Sequence, residues 1–97
     1  MLLKILRDAS NFIETLSDTD AAKILAHLNS LEHKRLEALQ IKTLHKKIKE
    51  LIVFPYRIVF FEIDGLAYVT DIFRKKSQKT PPRIIERAVK IYQSIIK

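Results

Sequence analysis

The sequence has no cysteine and no tryptophan, and a single glycine and three prolines among 97 residues. Without cysteine there is no disulfide and no thiolate metal site, so a reducing cytoplasm is the expected setting. With so little glycine and proline there is no flexible or Pro-rich linker to divide the chain. No apolar run approaches the ~20 residues of a membrane-spanning helix, so no membrane partner is expected. The opening "MLLKIL" is too short for a secretory signal and no small-residue cleavage site follows it. There is no Gly-rich phosphate loop and no nucleophile elbow. His27, His33 and His45 lack carboxylate or thiol companions at ligand spacing. Glu62, Asp64 and Asp71 bracket a turn without forming a marked catalytic pair. No metal and no cofactor is therefore expected.

What is present suits one domain spanning residues 1–97. Apolar residues make up 47% of the chain, enough for a folded core. The net charge is +7, and its position matters more than its size. Residues 1–73 are close to neutral, whereas residues 74–97 hold eight bases and one acid, Glu86. A polyanion, most readily a nucleic acid, is the partner such a distribution suits; a solvated basic face that aids solubility is the simpler reading.

The pattern predicts an α+β domain in the order β-α-α-β-β-β-α. "MLLKIL" reads as a short strand. Ala9, Phe12, Ile13 and Leu16 recur at helical spacing, and Ser17, Asp18 and Asp20 read as caps of a second helix striped by Ala21, Ile24, Leu25, Leu28 and Leu31. A short connection makes these two an antiparallel hairpin. "LEHKRLEALQIKTLHKK" reads as the helix end and a loop, and "KELIVF" as a strand. "YRIVFFEI" and "LAYVTDIF" flank Asp64-Gly65, the turn pair of a β-hairpin. The last helix follows Thr80, its expected N-cap, and Pro81 in its first turn; Ile84, Ile85, Ala88, Ile91, Tyr92 and Ile95 form its apolar stripe. The result is a small antiparallel-rich sheet with an N-terminal helical hairpin and a C-terminal helix. Helices are expected on one sheet face, with a groove or a partner on the other; a sheet covered on both faces within the monomer is the alternative.

The hairpin carries a cationic constellation. Even register about Asp64-Gly65 sets Arg57 opposite Ile72, within reach of Arg74, Lys75 and Lys76 at the end of the partner strand. A structural alternative pairs Arg57 with Asp71 across the hairpin. Lys46, Lys47 and Lys49, together with Lys79, Arg83, Arg87 and Lys90, extend the basic surface as candidate RNA contacts.

The stretch "YRIVFFEIDGLAYVTDIFRKKSQKTP" followed by "IIERAVKIY" resembles the HigB branch of the RelE/ParE toxin superfamily, in its phage-derived subgroup. The likeness rests on Tyr56-Arg57, on Phe73, on Lys75, Lys76, Ser77, Gln78, Lys79, Thr80 and Pro81, and on Ile85 and Ala88. It is strong over residues 48–92 and rests on element order over 1–47. The family usually has Glu-Leu-Arg before the Tyr-Arg strand. Here Glu50-Leu51-Ile52 lacks that arginine, and Arg74 adds a cation nearby.

The resemblance implies a RelE-like fold and the toxin of a bacterial type II toxin–antitoxin system. Such toxins are ribosome-dependent mRNA endoribonucleases, or mRNA interferases, that inhibit translation. Their partners are the ribosome, mRNA and a cognate antitoxin, often a helix-turn-helix protein. It implies metal-free attack of the RNA 2′-hydroxyl on the adjacent phosphate. Arg57 is then the first choice to stabilise phosphate charge. Lys75 and Lys76 would hold the flanking backbone, one of them serving as base, with Arg74 beside them. Tyr92 would move a proton or stack on a base, although its helical spacing also suits the core. The rival readings are a ParE-like gyrase poison and an inactive nucleic-acid-binding module.

Overall fold

The computed structural model describes residues 2–76 and 79–96. Ser77 and Gln78, part of the motif that carries the resemblance, lie outside them. The elements are β1 (Leu2–Ile5), α1 (Arg7–Glu14), α2 (Asp18–Glu32), a 3-10 turn (Leu36–Ala38), β2 (Gln40–His45), β3 (Ile48–Val53), β4 (Tyr56–Ile63), β5 (Leu66–Arg74) and α3 (Pro82–Ile96). The α+β class holds, with five strands in the order β1-β5-β4-β3-β2. β1 runs parallel to β5 and every other pair is antiparallel.

Two expectations change. Residues 40–45, read as loop, form the edge strand β2. Its apolar signal is weak: Ile41 and Leu44 are only half-buried, and a register shift between Thr43 and His45 breaks the alternation. The sheet is also covered on both faces. On one face α1 and α2 pack Ala9, Ile24, Leu28 and Leu31 against Leu51, Val53, Tyr56, Ile58, Phe60, Val69 and Ile72. On the other, α3 sets Ile84 and Ala88 against Ile48, Val59 and Phe61. The two strand parities thus serve two cores, which is why "YRIVFFEI" is apolar on both.

The hairpin forms as expected. Asp64 (φ 49°) and Gly65 (φ 80°) take the two left-handed positions its turn requires. Its register then shifts. Phe60 pairs with Val69, whereas Val59 pairs with Asp71, so Thr70 is an extra residue in β5. Thr70 is buried, and its hydroxyl donates to the Val59 carbonyl at 3.3 Å. Beyond this bulge Arg57 stands opposite Phe73, not Ile72. The shift moves Phe73 and Lys75 to the face of Arg57 and turns Arg74 to the opposite face.

The N-terminal helices fasten to the sheet through polar ends. The Ser17 hydroxyl accepts from the Asp20 amide at 3.2 Å, capping α2. The Asp20 carboxylate is no cap: it accepts the Tyr56 hydroxyl at 2.6 Å. That hydrogen bond, with burial, raises the Tyr56 phenol above its ordinary value, and Arg74 opposes the rise. Thr80 likewise does not cap α3, which begins at Pro82; its hydroxyl turns to Glu50.

Asp71 sits half-buried on β5 rather than paired with Arg57. Burial raises its carboxyl above the ordinary 3.8; Arg87 and Arg83 oppose this and Asp8 adds to it. An acid whose folded value is raised leaves the fold unpenalised below its unfolded value and weakens it once pH passes the folded value. Asp71→Asn should therefore raise the melting temperature at neutral pH, and the gain should vanish as pH falls below about 4. Melts across that range test this; a neutral-pH loss would show that Arg83 and Arg87 need the charge.

Candidate functional site

Glu50 is the organising residue, and sequence reasoning passed over it. It shares strand parity with Ile48 and Ile52, so it points to the α3 face, where it is 0% exposed. A buried carboxylate is costly unless cations and donors surround it. Three residues do. Arg57 Nε lies 3.6 Å and Lys75 Nζ 3.8 Å from its Oε1. The Thr80 hydroxyl donates to Oε2. Glu50 thereby joins β3, β4, the end of β5 and the lead into α3. The signal was available: an acid at an inward position of "KELIVF", with Arg57 opposite its neighbour Ile52 in the adjacent strand.

The backbone reinforces this junction. The Lys75 amide donates to the Pro55 carbonyl at 2.9 Å, extending the β4–β5 pairing past Arg74. The Lys23 ammonium, from α2, donates to the Phe54 carbonyl at 2.6 Å and steadies the β3–β4 turn. An Arg57 Nη1 group donates to the Tyr56 carbonyl at 3.1 Å.

Around the junction opens a cavity of about 510 Å³, lined by Lys42, Glu50, Ile52, Phe54, Pro55, Arg57, Lys75 and Lys76. Four cations and one carboxylate line it, a net positive site. Glu50 Oε1 and Arg57 Nε are buried and make ion-pair contact without a geometric hydrogen bond. Lys42 was not foreseen, because its strand was read as loop. It pairs in register with Glu50. It adds a cation to the cavity lining beside Ile52.

The other anticipated residues divide. Arg57, Lys75 and Lys76 come together as expected. Arg74 does not join them: its guanidinium lies over the Tyr56 ring, 5.9 Å from the centroid, on the α1–α2 face. A neighbouring cavity of about 250 Å³ is lined by Phe73, Arg74, Lys76, Lys79, Pro81 and Arg83, so Lys76 belongs to both basins. Tyr92 packs edge-on against Phe61 at 5.1 Å and lines a different cavity with His45, Lys46 and Lys47. Lys49 is exposed on the opposite sheet face, beside Phe60 and Glu62. Arg87 is ion-paired with Asp8, and Lys90 lines a groove with His45 and Val89. Among the described residues no cluster of three His, Asp or Glu side chains could hold a metal ion, and no helix is long and apolar enough to cross a membrane.

A small α+β domain of this topology is consistent with the RelE-like toxin fold. Residues 11–93 match the model of the phage-derived Gp49-like family (DUF891), and the chain belongs to that family. It is a RelE-toxin-like family associated with toxin–antitoxin systems, which supports a toxin role and suggests an antitoxin partner. No curated relative matches the chain at significant similarity.

The buried carboxylate makes a measurable demand. Glu50→Ala leaves Arg57 and Lys75, both only partly buried, without their carboxylate and should cost about 1–3 kcal/mol of stability in urea unfolding. Glu50→Gln keeps an acceptor for Thr80 and should cost less. Equal stability of the alanine variant and the parent would show that solvent already neutralises the pair.

Proposed function

We propose that the chain is the toxin of a type II toxin–antitoxin system and cuts mRNA on the ribosome. The observation that carries this reading is the convergence of Lys42, Arg57, Lys75 and Lys76 on one open cavity, in a chain of a toxin-like family. The chemistry suited to such a site is attack of the RNA 2′-hydroxyl on the adjacent phosphorus. The bond to the 5′-oxygen breaks, leaving a 2′,3′-cyclic phosphate and a free 5′-hydroxyl.

Each lining residue has a task in this reading. Arg57 binds the non-bridging oxygens, where charge accumulates; its fork is held by Glu50 and the Tyr56 carbonyl, so little reorganisation is needed at reaction. Lys42 and Lys75 hold the phosphate in line. Lys76, exposed on the rim, gives a proton to the departing oxygen, while the 2′-hydroxyl proton passes to water at the open mouth. Glu50 acts through Arg57 and Lys75 as a positioning residue.

Arg57→Ala should lower mRNA cleavage on translating ribosomes by about 10²–10³-fold, the loss typical of one preorganised oxyanion donor. Induced in bacteria, that variant should no longer arrest growth. Ribosome association should persist, since one cation among many adds little to net attraction. A thermal melt beside each assay separates lost chemistry from lost fold. A folded, ribosome-bound Arg57→Ala protein that cuts at the parent rate would remove Arg57 from the mechanism.

Binding has its own signature. The two basins joined by Lys76 set Lys42, Arg57, Lys75, Lys76, Lys79 and Arg83 along one path. If about five phosphates are engaged, affinity for single-stranded RNA should fall with a log–log salt slope of roughly −3.5. A slope near zero, measured by anisotropy across salt concentrations, would reduce the basic face to a solvated surface.

A further inference from the structure

Phe54 is the most exposed of the large apolar side chains described, at 77%, yet the turn that carries it is tied to two other elements. Its carbonyl takes the Lys23 ammonium, and the next carbonyl, of Pro55, takes the Lys75 amide. Here the turn fixes the backbone and leaves the ring outside.

The surroundings indicate what the ring is for. Ile52, Phe54 and Pro55, from the end of β3 and the turn after it, line the 510 Å³ cavity together with Lys42, Arg57, Lys75 and Lys76. Ile52 stands directly opposite Arg57 in the β3–β4 register, so apolar and cationic lining residues meet at that pair. A site with an apolar face and a phosphate-binding face joined edge to edge matches the two chemical halves of a nucleotide. Its volume lies within the ~300–1,000 Å³ usual for small-molecule sites.

We infer that Ile52, Phe54 and Pro55 form a nucleobase subsite, in which the base of one RNA nucleotide stacks on the Phe54 ring while its phosphate lies on Arg57 and Lys75. The inference rests on the RNA-cutting reading and adds to it the place of the base. It gives the isoleucine at position 52 a role: in this register a cation there would charge the wall that receives the base. Stacking on an aromatic face is sequence-tolerant, so this subsite orients the nucleotide and does not choose it.

The absence of native tryptophan makes the test direct. In Phe54→Trp the introduced indole is the sole fluorophore of its kind. Adenosine 3′-monophosphate should quench it saturably, and ribose 5-phosphate at equal concentration should leave it unchanged. By calorimetry, Phe54→Ala should bind adenosine 3′-monophosphate roughly 5- to 100-fold more weakly than the parent, the range stacking on one aromatic supplies. Its affinity for ribose 5-phosphate should be unaltered. Equal quenching by both probes, equal nucleotide affinity of Phe54→Ala and parent, or failure of the parent to bind the nucleotide overturns the subsite. Ribosomal cleavage by parent and Phe54→Ala is measured alongside. Cutting by both with the same KM leaves the endonuclease standing and removes the subsite; no cutting by the folded parent removes the endonuclease reading itself. A melt of Phe54→Ala close to the parent's is expected, since the ring contributes little buried surface.

Discussion

A single buried carboxylate sets the terms for the functional end of this molecule. Glu50 could be removed from water only with cations beside it, and each group that satisfies it comes from a different segment. Arg57 arrives on the neighbouring strand, Lys75 just past the end of β5, and Thr80 from the approach to α3. Buried ion pairs are a doubtful source of net stability, because desolvation offsets much of the attraction. Their value here is geometric. Two cations that would otherwise sweep through solvent on long, flexible stems are held at one cavity wall, with part of their ordering entropy spent during folding.

The two-sided sheet gives this arrangement its room. α3 covers the face over Ile48, Val59 and Phe61 but leaves the stretch of Glu50, Ile52 and Arg57 to the cavity. On the reverse face α2 reaches the same end of the sheet through Asp20 on Tyr56 and Lys23 on the 54–55 turn. The floor of the cavity is thus held from behind by a helix that never enters it. The rim, with Phe54 and Lys76 exposed, stays open.

Much of the fold was legible where local chemistry decides it. Asp64-Gly65 announced the hairpin because few other residue pairs accept two left-handed positions. Ile84 and Ala88 marked the buried stripe of α3. β2 was not legible, since an edge strand with a broken register shows little alternation. With it went Lys42. Glu50 was hidden because a glutamate in a strand looks like a solvent-facing residue until its partners, distant in sequence, are brought to it. Thr80 and Asp20 looked like caps for the same reason: short polar residues at helix starts are read locally, while here tertiary partners take their side chains. The grouping of Arg57 with Lys75 and Lys76 was legible from the hairpin, but the exclusion of Arg74 was not. It depends on a bulge that an even count across the turn does not reveal.

That bulge bears on how the chain tolerates change. Three consecutive bases follow Phe73, so an extended backbone sends positive charge to both faces whatever the parity of the strand. Closing the bulge with Thr70 retained would restore an even ladder and exchange the occupants: Arg74 would turn to the face of Arg57 and Glu50, and Lys75 to the face of Tyr56. The cavity would still receive a cation, now with a planar fork in place of a point charge. The triplet acts as insurance against slippage, keeping the electrostatics while the identity of the ion-pair partner follows the register. A one-residue shift of this ladder could then trade lysine for arginine at its most constrained position without any substitution at the position itself.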